Sequence, residues 1–174
     1  MSRIIPRALR EKEQPKPELH IVFEHNDLLT SDIISQMVNV INEMVYAHQG
    51  LIAAIPAIKE DAPLWKEADI RRQLHEGEGF IIALLDGKVV GVVSFVSRKW
   101  DRYRSLSFKL FSVTKRVRGK GIGHAMMTVL QNWVVENVCD TITCGVIATN
   151  AAAIRLYESE GFAPMRVIMG KTLP

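Results

Sequence analysis

The chain has 174 residues, of which 48% are hydrophobic and 24% charged, and its formal net charge is +3. This length and composition predict one globular domain with its own core. The mild charge suits an anionic ligand but does not indicate nucleic acid, for which a basic stripe or a long basic run is expected. No apolar run is long enough to span a membrane. Cys139 and Cys144 lie among apolar residues, and no Cys/His cluster has metal-ligand spacing, so we expect reduced thiols and no metal.

Residues 1–18 are charged and contain Pro6, Pro15 and Pro17. This composition predicts an extended or mobile arm, followed by one domain at 19–174. The arm lacks the apolar core of a signal peptide, and Glu11 and Glu13 argue against a transit peptide. We therefore expect an intracellular and, most simply, cytoplasmic protein.

Residues 19–24 have the composition of a short strand. A helix is predicted to follow an N-cap at residues 30–32 and to run to about His48, because apolar residues recur there at helical spacing. His48 could serve a substrate, although a partly solvated histidine at a helix end is the commoner role. The apolar stretch 50–60 is interpreted as an irregular link that packs on the core, with an exposed binding surface as the alternative.

A second helix is predicted to begin with Asp61 as its cap and Pro63 in its first turn, to include Leu64, and to end at Gly77 and Gly79. The β-rich runs 80–85 and 88–97 are joined by Asp86-Gly87, the strongest short hairpin signal. Residues 98–104 are predicted to be a polar turn, and residues 106–113 a fourth strand.

A glycine-rich stretch lies between this fourth strand and a predicted helix at about 122–136. It carries three glycines at alternate positions among four cations, which are Lys115, Arg116, Arg118 and Lys120. Unpaired N–H groups at a helix N-terminus attract phosphate, and glycines allow it to come close to the backbone. Neither a Walker loop nor a Rossmann fingerprint fits, because Gly121 follows Lys120 and His124 occupies the place of the third Rossmann glycine.

The chain is then predicted to form a fifth strand at 141–148, a helix from Ala151 to about Ser159 or Glu160, and a last strand at 162–169. Asn150 can cap this helix, and Gly161 stands where a C′ glycine belongs. The element order predicts an α/β (α+β) fold, with a mixed, mostly antiparallel sheet of about six strands and helices on both faces.

Two motifs resemble those of the GNAT family of N-acetyltransferases. The stretch 118–123 fits R-x-x-G-x-G/A, and the stretch 150–162 fits N-x-x-A-x-x-x-Y-x-x-x-G-F. In the second motif, Asn150 and Tyr157 are two helical turns apart and so share a face, about 10 Å from each other. Both motifs occur in the family's order, and the element order from residue 19 onward is also similar to the family fold.

This resemblance implies a sheet splayed between strands four and five, with acetyl-CoA as the acetyl donor in the opening and no metal. The pantetheine would pair with backbone near Phe111 and Val113, and the Val113 N–H would polarise the thioester carbonyl. Asn150 would hold the pantetheine arm, and Tyr157 would protonate the departing thiolate. The pyrophosphate would bind backbone N–H groups of Arg118, Gly119, Lys120, Gly121, Ile122 and Gly123.

The chain departs from the family pattern at Ser107, six residues before Val113, where the family often carries a glutamate that relays a proton from the amine. The general base that would accept this proton is left open among Glu43, Asp101 and bulk water.

The resemblance implies an N-acetyltransferase that transfers acetyl to a primary amine of a small molecule by direct attack. The alternatives are a catalytically weak acyl-CoA-binding module and a protein or peptide N-acetyltransferase. No nucleic-acid or membrane partner is expected. The oligomeric state is open, a homodimer included.

Overall fold

The computed structural model describes residues 18–24, 29–53 and 64–169. Five strands within these residues form one sheet: β1 (Leu19–Glu24), β2 (Gly79–Leu85), β3 (Lys88–Trp100), β4 (Tyr103–Val113) and β5 (Thr141–Cys144). Four α-helices accompany it: α1 (Ser31–Ala53), α2 (Glu67–His75), α3 (Ile122–Glu136) and α4 (Ala151–Ser159). The predicted arm lies almost entirely outside the described residues.

The sheet has the strand order β1-β2-β3-β4-β5, and only the β4–β5 pair is parallel. Its two faces bury separate apolar clusters. Ile34, Met37 and Ile41 of α1 pack on one face beside Leu110 of β4. Helix α3 and Tyr157 of α4 pack on the other face. The predicted mixed sheet with helices on both faces is therefore confirmed.

The prediction of a last strand at 162–169 is wrong, which leaves five strands in the described sheet instead of about six. These residues have no regular secondary structure. Met165, Val167, Ile168 and Met169 are 78–88% exposed. The segment has the composition of a strand, but a strand forms only where a neighbour supplies hydrogen bonds, and none of the described strands pairs with it.

Helix α1 begins as predicted, with the Thr30 hydroxyl oxygen accepting a hydrogen bond from the Ile33 N–H (3.3 Å). It continues to Ala53, beyond the predicted end at His48. The first residues of the predicted apolar link are thus helical, since a single glycine at position 50 does not stop a helix. The remainder of the link, 54–60, lies outside the described residues.

Helix α2 begins at Glu67, later than predicted, so that Leu64 precedes it. The Asp69 carboxylate accepts a hydrogen bond from the Lys66 N–H (2.9 Å) and fixes this start. Asp61 and Pro63 lie outside the described residues. Gly77 has a φ of +81° just after the helix, as its predicted end requires. Gly79 instead opens β2.

Both β-hairpins turn through residues with positive φ. Asp86 and Gly87 have φ of 51° and 73°, which fits the predicted tight turn. The second turn is shorter than the predicted polar segment 98–104. Trp100 pairs with Tyr103, and Asp101, with a φ of 52°, lies at the tip. The strands are longer because local polarity does not prevent pairing along an exposed hairpin.

Strand β5 ends at Cys144, four residues before its predicted end, and it pairs only with Ser105–Phe108 of β4. Strand β4 continues to Val113. The sheet is therefore splayed between strands four and five, as predicted. We call this opening the β4–β5 gap; it lies between residues 109–113 of β4 and residues 145–150, which follow β5.

Helices α3 and α4 flank the gap and begin where the sequence predicts. The Asn150 Oδ1 accepts a hydrogen bond from the Ala153 N–H (3.2 Å) at the start of α4. Gly161 ends α4 with a φ of 84°. A Cβ on Gly123 would lie 3.3 Å from the Leu156 Cδ2, so glycine there lets α3 approach α4 closely.

No helix in the described parts of the chain is both long and apolar enough to cross a membrane.

Candidate active site

The glycine-rich stretch forms a turn that opens onto the N-terminus of α3. A short 3₁₀ helix at Lys115–Val117 leads into it, and Gly119 and Gly121 have φ of 74° and 80°. Residues 118–121 are exposed. The first N–H groups of α3 have no carbonyl within the helix to bind. Exposed cations and unpaired N–H groups therefore converge at one place, which suits a pyrophosphate.

The Arg118 side chain braces this turn, because its Nε donates a hydrogen bond to the Val113 carbonyl (2.8 Å). The Arg118 backbone N–H donates to the Lys115 carbonyl (3.3 Å). Of the predicted phosphate-binding N–H groups, those from Gly119 to Gly123 are consequently better placed for a ligand than that of Arg118. The sequence motif does not distinguish them.

Glu43 of α1 anchors the end of β4. Its carboxylate accepts hydrogen bonds from the Thr114 hydroxyl and the Lys115 N–H, both at 2.5 Å. Burial by itself raises the pKa of Glu43, but these two bonds and the nearby arginine charges outweigh it and leave the pKa below its usual value. The carboxylate is already engaged and poorly basic, so it does not fit the base that the sequence leaves open.

A second bond joins the same two elements, since the Ser112 hydroxyl donates to the Val40 carbonyl (3.0 Å). Val113 thus lies between two residues that α1 fixes. Nothing local in the sequence marks this clamp, because its partners are more than 70 positions apart.

The backbone of β4 faces the β4–β5 gap at Phe111 and Val113. The Thr114 N–H donates to the Val90 carbonyl of β3 (2.9 Å). Residues of an antiparallel pair alternate between bonding the partner strand and facing away from it. Val113 and Phe111, one and three residues before Thr114, therefore direct their N–H and C=O groups away from β3 and toward the gap. The binding of pantetheine along these two residues stays a prediction.

Tyr157 forms the aromatic wall of the gap. It is 8% exposed, and its ring lies 5.4 Å from Phe108, 6.2 Å from Phe111 and 5.8 Å from Phe162, centroid to centroid. Burial first, and the neighbouring Cys144 second, raise the pKa of Tyr157 above its usual value. Burial also raises the pKa of Cys144 to about 11. Both groups are consequently protonated at neutral pH.

Asn150 stands two turns before Tyr157 on α4 and is half-buried. Its oxygen caps the helix, which leaves the side-chain amide N–H groups as donors. The structure thus brings Asn150, Tyr157, Phe111, Val113 and the turn around one opening.

The sequence model of the Acetyltransferase (GNAT) family matches residues 45–162, which is more than half of the chain. The chain belongs to this family. The match includes β4, the glycine-rich turn at residues 118–121, α3, β5 and α4.

Curated relatives include N-acetylaspartate synthetases. The human protein is 36% identical over 100 residues, which cover 56% of this chain and 32% of that protein. The Xenopus tropicalis protein is 35% identical over 98 residues, which cover 56% of this chain and 35% of that protein. The matched region thus spans about a third of the length of these relatives.

Solved structures share the fold. An aminoglycoside acetyltransferase from an uncultured soil metagenomic sample has a TM-score of 0.67 at 14% identity, over 90% of this chain and 97% of that chain. A putative acetyl transferase from Pyrococcus furiosus has a TM-score of 0.64 at 21% identity, over 90% of this chain and 100% of that chain.

The GNAT acetyltransferase described here has no carboxylate on β4, whose sequence is YRSLSFKLFSV. Ser107 is half-buried in the middle of that strand. Asp101 lies at the hairpin tip, twelve residues before Val113, which corresponds to about 40 Å of extended strand. Of the two acidic alternatives left open by the sequence, Glu43 is engaged and Asp101 is remote.

A third carboxylate, Glu78, was not singled out from the sequence. It precedes β2, is 4% exposed, and forms an ion pair with Lys109. Phe95 pairs with Phe108 and Ser94 with Leu110, so Lys109 is the extra residue of a β-bulge. The second carboxylate oxygen is buried and has no hydrogen-bond partner among the described residues. Only the register of three strands brings these two side chains together, and no sequence motif encodes it.

No group of three or more potential metal ligands occurs among the residues that the structure describes.

Proposed function

We propose that this acetyltransferase takes its acetyl group from acetyl-CoA and transfers it to a primary amine of a small molecule by direct attack. The orientation of the β4 backbone carries the proposal. Phe111 directs its N–H and C=O groups, and Val113 its N–H, into the β4–β5 gap without a partner among the described strands, while the Val113 carbonyl is held by Arg118. One end of the gap opens on the glycine-rich turn at residues 118–121. An extended, amide-containing ligand with a pyrophosphate at one end is complementary to this arrangement.

In this proposal, N–H groups from Gly119 to Gly123 bind the pyrophosphate and the amide of Asn150 holds the pantetheine. The Val113 N–H donates to the thioester oxygen as negative charge develops there. The acceptor attacks as the free amine: its nitrogen bonds to the carbonyl carbon and loses one proton to a base or to water, and the carbon–sulfur bond breaks. Tyr157 is protonated and lies in the wall of the gap, where it can give its proton to the departing thiolate.

We propose that the acceptor is the amino group of a small molecule and that acidic amino acids should be tested before other amines. The relatives named N-acetylaspartate synthetase motivate this order of testing. Their match covers only part of each protein, so aspartate is the starting point of a screen.

Two measurements test the proposal. Calorimetry should detect binding of acetyl-CoA to the purified chain. A panel of amines, including aspartate, glutamate, an aminoglycoside and a lysine-containing peptide, should release coenzyme A in a thiol assay. Failure to bind acetyl-CoA would overturn the proposal, and acetylation of the peptide alone would change the acceptor class to protein.

Ser107 supports a second candidate, a catalytically weak acyl-CoA-binding module, because the family's usual carboxylate is missing at that position. Tight binding of acetyl-CoA without turnover of any amine in the panel would favour it.

A further inference from the structure

The end of α1 lies across the β4–β5 gap. Glu43 holds one side of the gap through Thr114 and Lys115. Eight residues later, the Leu51 carbonyl accepts a hydrogen bond from the Thr149 hydroxyl (3.4 Å), on the segment that follows β5. Eight helical residues rise about 12 Å. Since paired strands are about 4.8 Å apart, residues 44–50 of α1 span an opening wider than one strand spacing.

His48 lies within this span and is on the sheet-facing side of α1. It follows Ile41 by seven residues and Ile34 by fourteen, and both isoleucines are 0% exposed. Seven residues return a helix to within about 20° of the same direction. His48 therefore extends the buried stripe of α1, but it is only half-buried. We attribute its partial exposure to the gap, where no paired strand lies beneath it.

His48 and Tyr157 border the gap from opposite faces of the sheet. The apolar stripe of α1 packs with Leu110 on one face of β4. Tyr157 packs with Phe108 on the other face. An acetyl group near the Phe111 and Val113 backbone would have a histidine on one side and a protonated tyrosine on the other.

We propose that the His48 imidazole accepts the proton of the acceptor amine, in the role that a carboxylate at position 107 would otherwise fill. This inference rests on the proposed function. As the bond between nitrogen and carbonyl carbon forms and the carbon–sulfur bond breaks, an imidazole nitrogen takes the amine proton and Tyr157 protonates the sulfur. Exchange with water then returns both side chains to their starting states, so the net products are the acetylated amine and free coenzyme A.

The protonation state of His48 suits this role. Burial lowers the pKa of His48 below its usual value, so the imidazole is uncharged at neutral pH and has a nitrogen lone pair that can accept a proton. Its capacity to accept a proton is lost as the pH falls through that lowered pKa. The elements around it carry further titratable or charged groups. These include Glu43 and Tyr46 on α1, the charged residues of α2 (Glu67, Asp69, Arg71, Arg72 and His75), Lys109 on β4, Lys115, Arg116, Arg118 and Lys120 at the turn, Cys144 on β5, and Arg155 and Tyr157 on α4.

The carboxylate alternatives fit this role less well. Glu43 already accepts two hydrogen bonds, and Asp101 is at a distant hairpin tip. The Glu78 carboxylate is inaccessible to a substrate, because one oxygen pairs with Lys109 and the other is buried.

The pH dependence of kcat/KM tests the role of His48, with His48→Gln as the variant and His75→Gln as the matched control. His75 is an exposed histidine at the end of α2, outside the proposed site. We expect a wild-type plateau at neutral pH with a decline on the acid side. His48→Gln should lose about 10²-fold or more at neutral pH. Its rate should then rise with pH along the amine's own titration, while His75→Gln keeps the wild-type profile.

Two further measurements separate a chemical role from a structural one. Added imidazole should restore part of the activity of His48→Ala and have no effect on wild type. In NMR spectra, coenzyme A should shift the imidazole resonances of His48 and leave those of His75 unchanged.

An active wild type whose His48→Gln variant keeps the plateau would overturn the inference and leave the proposed function intact. Unshifted His48 resonances in a coenzyme A complex would also overturn it. Failure of the wild type to bind acetyl-CoA would instead refute the proposed function.

Discussion

Tyr157 combines a buried ring with a hydroxyl that no described residue bonds. Because burial raises its pKa, the hydroxyl keeps its proton through neutral pH. Tyr157→Phe should therefore reduce kcat by about 10²- to 10⁴-fold, the usual contribution of a positioned acid. Acetyl-CoA affinity should change little, because the ring that packs on Phe108 and Phe111 is retained. Steady-state kinetics and calorimetry measure the two effects, and an unchanged kcat would make Tyr157 structural only.

A substitution at Gly121 tests the proposed phosphate-binding role of the glycine-rich turn at residues 118–121. Gly121→Glu would place a negative charge where we propose that the pyrophosphate binds. We expect acetyl-CoA affinity to fall at least tenfold, which is about 1.4 kcal/mol. Calorimetry on the folded variant measures this change.

The matched control for this variant is Gly87→Glu. Gly87 has a similar φ (73° against 80°), and a Cβ at either glycine would have no neighbour within 4 Å. Both variants thus carry the same backbone strain, but Gly87 is in the β2–β3 turn. Equal affinity of the two variants for acetyl-CoA would contradict the assignment of the turn.

Helix α3 ends in a strained connection that precedes β5. Val138 has a φ of 50° although it is β-branched, and it is 81% exposed. Such a conformation costs about 1–3 kcal/mol, which glycine avoids, and little packing is lost at an exposed site. Val138→Gly should therefore stabilise the protein by about 1 kcal/mol in denaturant unfolding, after allowance for the greater freedom of glycine in the unfolded chain.

Val135→Gly is the control, because glycine should lower rather than raise the free energy of unfolding there. Val135 is also exposed, at 77%, but it lies within the last turn of α3. Glycine should destabilise that position by a few tenths of a kcal/mol. A loss of stability in both variants would show that Val138 is not strained in solution.

Sequence reasoning succeeded for elements whose signal is local. The Asn150 cap, the Gly161 end of α4 and the Asp86-Gly87 turn each depend on a φ angle or on a hydrogen bond between near neighbours. It failed where pairing decides the outcome. The length of β5 and the state of residues 162–169 depend on whether a neighbouring strand exists, which composition does not encode.

The same distinction holds for the candidate site as a whole. The two motifs predicted the glycine-rich turn before α3 and the shared face of Asn150 and Tyr157 on α4, because each lies on one continuous segment. The ligand of the turn stays a prediction. The clamp of α1 on the end of β4 was not predicted, although the sequence left Glu43 and His48 of α1 as candidates for other roles. Its bonds to Thr114 and Lys115 link residues 71 and 72 positions apart, and they exist only after α1 has packed across the sheet. The candidate site thus combines β4, α3, α4 and α1. Sequence patterns indicated the first three and named only single residues of α1.

The alternation of the β4 backbone allows a test of the whole assembly in one experiment. Ser112 and Thr114 face β3, whereas Phe111 and Val113 face the gap. Amide hydrogen exchange should therefore be fast at Phe111 and Val113 in the free protein, since their N–H groups have no strand partner. Saturating acetyl-CoA should slow exchange at these two residues, because the pantetheine would accept a hydrogen bond from Phe111 and the thioester oxygen one from Val113.

Ser112 provides the internal control, since its amide is already paired with β3 and should change only as much as the global stability changes. Acetyl-CoA at about 100 times Kd increases the free energy of unfolding by about 2.7 kcal/mol. This increase slows exchange only at amides that exchange through complete unfolding. NMR-detected exchange resolves single amides, so the expected result is an alternating pattern along β4. Two results would contradict binding of the pantetheine along this strand. One is uniform protection of the amides from Leu110 to Thr114. The other is protection that is unchanged in Gly121→Glu at the same acetyl-CoA concentration.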